Sequence, residues 1–332
     1  MRTVALVVAL LFALVSCTSK SREVIVYTSV DQVFSEPIFR AYERESGVKV
    51  RAAFDTEETK STGVLNRLIA EAPRPQADVF WSGDPVRPFV LVKKGMVEPY
   101  VSPSASGLPG DLRAADGTWT GLSARARVLL VNKSKVPPGE MPRSIRDLAA
   151  PRWRGQTAIA NPLFGTTTMH VAALVVAWGE EDARRFMSDV KSNGVRIASS
   201  NGEVKRLVVG GEVAFGLLDT DDANEALKEG PAVEIVYPDQ DGLGALVMPT
   251  SVVLIRNGPH RDDGTKLIDF LLSAETERRM AESAAHMPLR AGVPTPASVR
   301  RVVNIRAMPV DYARMASEME RIQPWLRTWV GL

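Results

Sequence analysis

Twice along this chain the same grammar recurs: a short β-rich apolar run, an amphipathic helical segment, then another β-rich run. This repetition restricts the fold more than any other feature. The first set opens with Val24-Ile25-Val26-Tyr27, continues through a helical segment at 34–46 that stops at Gly47, and returns as Val48-Lys49-Val50-Arg51. A glycine just past the last helical residue is a natural stop, because it takes the left-handed conformation without a Cβ clash. A second amphipathic segment at 61–72 carries Val64, Leu65, Leu68 and Ile69 at helical spacing and leads into Ala77-Asp78-Val79-Phe80-Trp81. A βαβαβ order produces parallel strands with right-handed crossovers, and ligands gather beyond the carboxyl ends of such strands. Those ends fall at 28–31, 55–58 and 82–84.

The second set follows a Pro/Gly-rich stretch at 102–121. It reads as a strand at 156–160, an apolar helix at 167–178, a strand at 195–198, a helix at 202–210, and the strand Val213-Ala214-Phe215-Gly216-Leu217-Leu218, which runs into Asp219-Thr220-Asp221-Asp222. Its strand ends are 160–168, 199–201 and 219–222. Two apolar strand-like segments, 126–131 and 245–255, lie between the sets and are placed to cross from one to the other, and two crossings make a hinge. The expected fold is α/β with two lobes, each a mostly parallel sheet flanked by helices, joined by a two-segment hinge. Lobe 1 is expected to comprise 24–122 and 250–305, lobe 2 to comprise 123–249, and 306–332 to form a helical tail with no docking site legible in the sequence.

The N-terminus places Met1-Arg2-Thr3 before an apolar run at 4–15, well short of the roughly 20 residues that span a bilayer as a helix. It reads as a signal segment. Leu14-Val15-Ser16-Cys17 resembles the lipobox of bacterial lipoproteins, and Cys17 is the only cysteine of the chain, so no internal disulfide is available. A lipid on Cys17, a tether over 18–23 and a body anchored to the membrane outside the cytoplasm are therefore expected. The net charge is +2, with both signs spread along the chain. That leaves no basic stripe for nucleic acid.

Several fragments resemble, in order and spacing, the extracellular solute-binding proteins of ABC importers, in particular the branch of the periplasmic ferric-ion-binding proteins. They are Ile25-Val26-Tyr27-Thr28-Ser29, Ala77-Asp78-Val79-Phe80-Trp81, Ala124-Arg125-Ala126-Arg127-Val128 with Asn132 after it, Asp147-Leu148-Ala149 before Trp153-Arg154-Gly155, and Gly211-Glu212-Val213-Ala214-Phe215-Gly216-Leu217. The resemblance implies a type II periplasmic binding protein fold, a small molecule or ion captured between the lobes, delivery to permease and ATPase subunits, and a monomer. Ferric binders of this branch use a histidine or tyrosine after the first strand, a glutamate after the third, and two adjacent tyrosines after the Gly-Leu strand. Those places hold Asp31 or Gln32, Gly83 beside Asp84, and Asp221-Asp222 here, so an iron–tyrosinate centre is not expected.

The candidate ligand-binding residues are Ser29, Asp31, Glu57, Asp84, Arg125, Thr166, Thr167, Asn201, Asp219, Asp221 and Asp222, with Asp221 and Asp222 as candidate metal ligands. Asp222 with Glu225 three residues on also reads as a helix-capping box. Asp31, Glu57, Glu58 and Asp84 would meet the second-lobe aspartates on closure. Two carboxylates about 5 Å apart cost roughly 3 kcal/mol at an effective dielectric of about 20, so a cation, a proton or a basic residue must offset them. Carboxylate oxygens suit hard metal ions or an ammonium. Lys60 and Arg125 are the local counter-charges, and if they face the cleft an anion or zwitterion becomes acceptable. Gly165-Thr166-Thr167-Thr168 opens an apolar helix and aims amides and hydroxyls at an anion; a threonine cap would account for one of the three. By the resemblance, this loop and Asn201 correspond to positions that hold an anion.

Trp81 reads as core packing, and His170, His260 and His286 have no metal-ligand spacing. No Gly-x-Ser-x-Gly or HExxH motif is present, and Cys17 is committed to the lipid, so an enzyme is not expected. The ligands in view are a metal ion with a bound anion, a polyamine- or thiamine-like amine, and a small anion or organophosphonate. A periplasmic sensor would share the same site.

Overall fold

A computed structural model describes residues 22–55, 63–229 and 232–332. Cys17 and the leader, Glu57, Glu58 and Lys60 lie outside the described residues. The first half runs β1 (Glu23–Thr28), α1 (Gln32–Ser46), β2 (Lys49–Phe54), α2 (Gly63–Ala70), β3 (Val79–Ser82), α3 (Arg87–Lys93) and β4 (Val97–Glu98). Gly47 ends α1 as anticipated, with φ +68° and its N–H donating to the carbonyl of Glu43. β1 pairs parallel with β2 and β3, the βαβαβ unit read from the sequence.

The long strand β5 (Thr120–Asn132) leads to the second half: β6 (Thr157–Ala160), α4 (Gly165–Trp178), α5 (Glu180–Ser192), β7 (Arg196–Ala198), α6 (Asn201–Val209), β8 (Phe215–Asp219), α7 (Thr220–Glu229) and β9 (Val233–Val236). β6 pairs parallel with β7 and β8. The chain returns through β10 (Val247–Ile255), then α8 (Arg261–Leu271), α9 (Ala274–Ala284), α10 (Tyr312–Arg321) and α11 (Gln323–Val330).

The spatial order is β2-β1-β3-β10-β5-β8-β6-β7. Antiparallel pairing is confined to the long strands that join the halves and to their edge partners: β10 pairs with β3, β4 and β5, and β5 pairs with β8 and β9. The two crossing segments expected as a hinge are β5 and β10. Their pairing shifts register between Pro249 and Thr250, and Ser123 opposite takes a left-handed φ of +31°. Bulges bend strands, and this one lies where the sheet passes from one half to the other.

Cores lie on both sides of this junction. Phe39 meets Trp81 edge-on at 5.7 Å in one, and Trp153 meets Phe215 at 5.3 Å in the other. Trp81 is fully buried, with its Nε1 donating to Thr250 Oγ1 at 3.3 Å, as its reading as core required. The tail is two helices, not one, broken at Ile322 with Pro324 opening α11. It docks mainly on the second half, where Trp329 Nε1 donates to the Met187 carbonyl and Arg321 pairs with Glu180, and it also touches the first, where Arg87 Nη1 donates to Met319 Sδ and Trp119 meets Tyr312. Among the described residues no helix is long and apolar enough to cross a membrane.

Candidate ligand-binding cleft

Strand ends from both halves meet in one cleft of about 250 Å³. The first half contributes Ser29, Asp31, Phe34, Gly83 and Asp84, and the second contributes residues of 160–167, 199–202 and 219–225. Arg125, Thr250 and His286 line it at the junction. All candidate residues that the structure describes therefore share one surface, although their roles differ.

β5 carries Arg125 and Arg127 two residues apart, on one face of the strand. The register sets Arg127 opposite Asp219, the last residue of β8. Arg127 Nη1 donates to Asp219 Oδ1 at 2.7 Å, Thr166 Oγ1 at 3.0 Å and Asn201 Oδ1 at 3.1 Å, and its Nη2 donates to Thr167 Oγ1 and the Leu217 carbonyl. This single guanidinium thereby fixes the start of α4, the start of α6 and the end of β8. Asn201 Nδ2 adds a bond to Thr166 Oγ1 at 3.2 Å.

Arg125 reaches the other way. Its Nη1 donates to Asp219 Oδ2 at 3.0 Å and Asp221 Oδ2 at 3.4 Å, while Nη2 donates to the Gly83 carbonyl of the first half at 2.7 Å. Burial disfavours its charge, but Asp221, Asp219, Asp31 and Asp222 outweigh this and keep Arg125 protonated. Burial would also raise the Asp219 carboxyl, yet Arg127 and Arg125 hold it below the usual carboxylate range. A basic residue therefore supplies the counter-charge that the crowded aspartates require.

Some candidate residues are occupied by structural duties. Ser29 Oγ accepts the Gly83 N–H at 2.9 Å, tying the first and third strand ends together. Asp84 lines the cleft, but its Oδ1 accepts the amides of Val86 and Arg87 and its Oδ2 lies 3.4 Å from Arg87 Nη1, so this carboxylate shapes the turn into α3. Asp55, at the second strand end, accepts the Val64 N–H at the start of α2 and is not among the cleft residues.

One capping expectation is corrected. Asp222 is not an N-cap and forms no capping box: α7 begins at Thr220 directly after β8, so Asp221 and Asp222 occupy its first turn, and Glu225 instead pairs with Lys205 at 3.0 Å. Carboxylates in a first turn still suit the helix dipole. At α4 no threonine caps the helix either. Phe164 holds the N-cap position and its ring has no acceptor to cap with, while the hydroxyls of Thr166 and Thr167 accept from Arg127 and that of Thr168 donates to the Pro162 carbonyl.

Sequence reasoning missed Arg127, Phe34, Phe164 and His286 as site residues. For Arg127 the signal was the Arg-Ala-Arg alternation within an apolar strand, which puts two cations on one face. His286 gave none, since it arrives from beyond α9 through the bridge between Ala124 and Met287. Its Nδ1 lies 3.2 Å from Ser123 Oγ, and burial, with help from Arg125, pushes its pKa down to about 3, so the ring is neutral. Among the described residues no group of three or more His, Cys, Asp or Glu could hold a metal ion.

Comparison with known proteins agrees with this architecture. "Iron uptake protein A1" of Synechocystis sp. is 30% identical over 292 residues, covering 84% of this chain and 79% of that protein. A Salmonella typhimurium protein, provisionally named a 2-aminoethylphosphonate-binding periplasmic protein, is 25% identical over 330 residues, covering 96% of this chain and 90% of its own. The crystal structure of iron-bound HitA from Pseudomonas aeruginosa superposes with a TM-score of 0.83 at 22% identity, over 94% of this chain and 100% of that one. The fold is that of the two-lobed periplasmic binding proteins. Residues 75–315 match the family model described as bacterial extracellular solute-binding protein, and the chain belongs to that family.

Proposed function

We propose that this chain is the receptor subunit of an ABC importer, held outside the cytoplasm by a lipid on Cys17, that captures a small solute between lobes comprising 24–122 with 250–305 and 123–249 and delivers it to a permease driven by an ATPase. It acts as a monomer and performs no covalent chemistry. The solute we assign carries both an anionic and a cationic group, as an aminoalkylphosphonate does.

One observation carries this reading: a single cleft holds an uncapped helix start, Gly165-Thr166-Thr167 of α4, together with the carboxylates of Asp31, Asp221 and Asp222. Helix amides favour an anion, and the carboxylates favour an ammonium. Arg125 lines the same cleft and offsets part of the acidic charge, so neither a simple polyamine nor a simple anion matches the whole site. The Salmonella relative supports the same class.

A metal ion escorted by an anion is the second reading. It rests on the Synechocystis relative, an iron uptake protein; carboxylates suit a hard cation, but Asp31, Asp221 and Asp222 do not come together as a metal-binding group, so an escorting anion would have to supply ligands.

Calorimetric titration of the purified protein separates the two. We expect 2-aminoethylphosphonate to bind with a micromolar Kd, and ethylphosphonate and ethylamine, each lacking one charge, at least about tenfold more weakly. Binding of ferric citrate without any phosphonate would establish the second reading, and no heat from either would reject both.

A further inference from the structure

The cleft also carries an apolar feature that charge recognition does not use. Phe164 sits at the N-cap of α4, where serine, threonine, aspartate or asparagine is preferred, with extended backbone angles of −133° and 156° and no capping bond. The residue is 61% exposed, and among the described residues it is the one strongly exposed large hydrophobic residue that lines the cleft. Phe34, in the first turn of α1 and partly buried against the core, lines the same cleft from the first half. Val30 and Ala160 add apolar surface from opposite sides.

A phenylalanine at this position has two consequences together. It leaves the first amides of α4 open to an anion, and it places an apolar surface directly beside the group bound there. An inorganic ion has nothing to cover such a surface, whereas a hydrocarbon attached to the anionic head would remove it from water. Because the two rings belong to different halves, closure would bring both onto the same segment of the solute. The cleft's 250 Å³ lies near the lower end of small-molecule sites, which run from about 300 Å³ upward, so the hydrocarbon is short.

We propose that Phe164 and Phe34 are the jaws of an apolar subsite that takes the carbon skeleton of the solute, making the ligand class an organic anion with a short hydrocarbon body. This rests on the anion-binding role assigned above to the start of α4.

The test is a calorimetric series of methyl-, ethyl- and propylphosphonate on the full protein and on Phe164→Ala, a truncation at an exposed site that leaves the core untouched. Affinity should rise about threefold per added methylene in the parent. In Phe164→Ala the rise should flatten while methylphosphonate affinity stays within about twofold. Phe34→Ala, with its melting temperature checked, should flatten the same slope. A series that binds with no dependence on chain length, or a slope that survives Phe164→Ala, overturns the subsite and leaves the anion site standing. A series in which no phosphonate binds overturns the anion site, and the subsite falls with it.

Discussion

Arg127 Nη1 lies 2.7 Å from Asp219 Oδ1 across the β5–β8 pair, and neither side chain exposes more than 1% of its surface. Charges so completely removed from water persist only when paired and fully hydrogen-bonded. Around this pair the hydroxyls of Thr166 and Thr167 and the amide of Asn201 provide most of those bonds, with Arg127 Nε left without a partner, and they tie residues from four elements into one floor.

Removing one partner should therefore cost more than removing both. Arg127→Met is expected to lose about 3–5 kcal/mol of stability, and Arg127→Met with Asp219→Asn to lose distinctly less, because no uncompensated charge remains. Urea denaturation measures both. Equal losses would mean that Arg125 alone suffices to compensate Asp219.

Asp221 stands differently, in the first turn of α7 and on the cleft surface, with a 3.4 Å contact to Arg125. Asp221→Ala should weaken 2-aminoethylphosphonate about tenfold or more while leaving ethylphosphonate nearly unchanged, since only the former presents an ammonium. The melting temperature of the unliganded protein should fall only slightly, because Asp219 still compensates Arg125. A fall in stability without a fall in affinity would assign Asp221 a purely structural role.

Two buried histidines make the fold acid-sensitive. Burial pushes both His170 and His286 down to about 3, with Arg127 and Arg125 respectively adding to the effect. In the unfolded chain they titrate near 6.5, so below that pH the unfolded state binds more protons and stability falls as pH falls. The window runs from about pH 6.5 down to about 3, and each histidine contributes a slope of up to about 1.4 kcal/mol per pH unit. Asp219, whose carboxyl is also held low, adds a loss of the same sign only below the ordinary carboxylate range. Urea midpoints at pH 7.5, 6.0 and 5.0 should decline in order, and His286→Gln should make the decline shallower. A flat profile over this range would show that the rings protonate without cost.

The strand ends were legible because strands and their crossover helices impose different hydrophobic periods, and the direction of a βαβ unit fixes which loops face a ligand. Ser29 and Asp221 were placed by that rule, and Thr166 and Asn201 by that rule together with the family resemblance. Their individual duties were not legible. Asp84 looks like a ligand carboxylate in the sequence, but whether a carboxylate turns to a ligand or to the amides two and three residues on depends on the turn that follows. His286 and Phe164 were hidden for other reasons: one is delivered by a distant bridge, and the other is an aromatic residue whose exposure no local pattern reveals. The break at Ile322 was masked by the continuous apolar spacing of the tail, although Pro324 was there to mark it.

Arg125 joins the two halves directly. Its Nη2 holds the Gly83 carbonyl at the end of β3, and its Nη1 holds Asp219 at the end of β8, so one planar group spans the cleft floor. A lysine offers a compact ammonium in place of this fork and cannot satisfy both acceptors in the same geometry. Arg125→Lys should therefore loosen the unliganded protein, seen as a larger radius of gyration in solution scattering, and should weaken 2-aminoethylphosphonate by at least about thirtyfold. Weaker binding with unchanged scattering would make Arg125 a ligand contact only. If neither quantity changes, the tie between Gly83 and Asp219 has no part in setting how the halves meet.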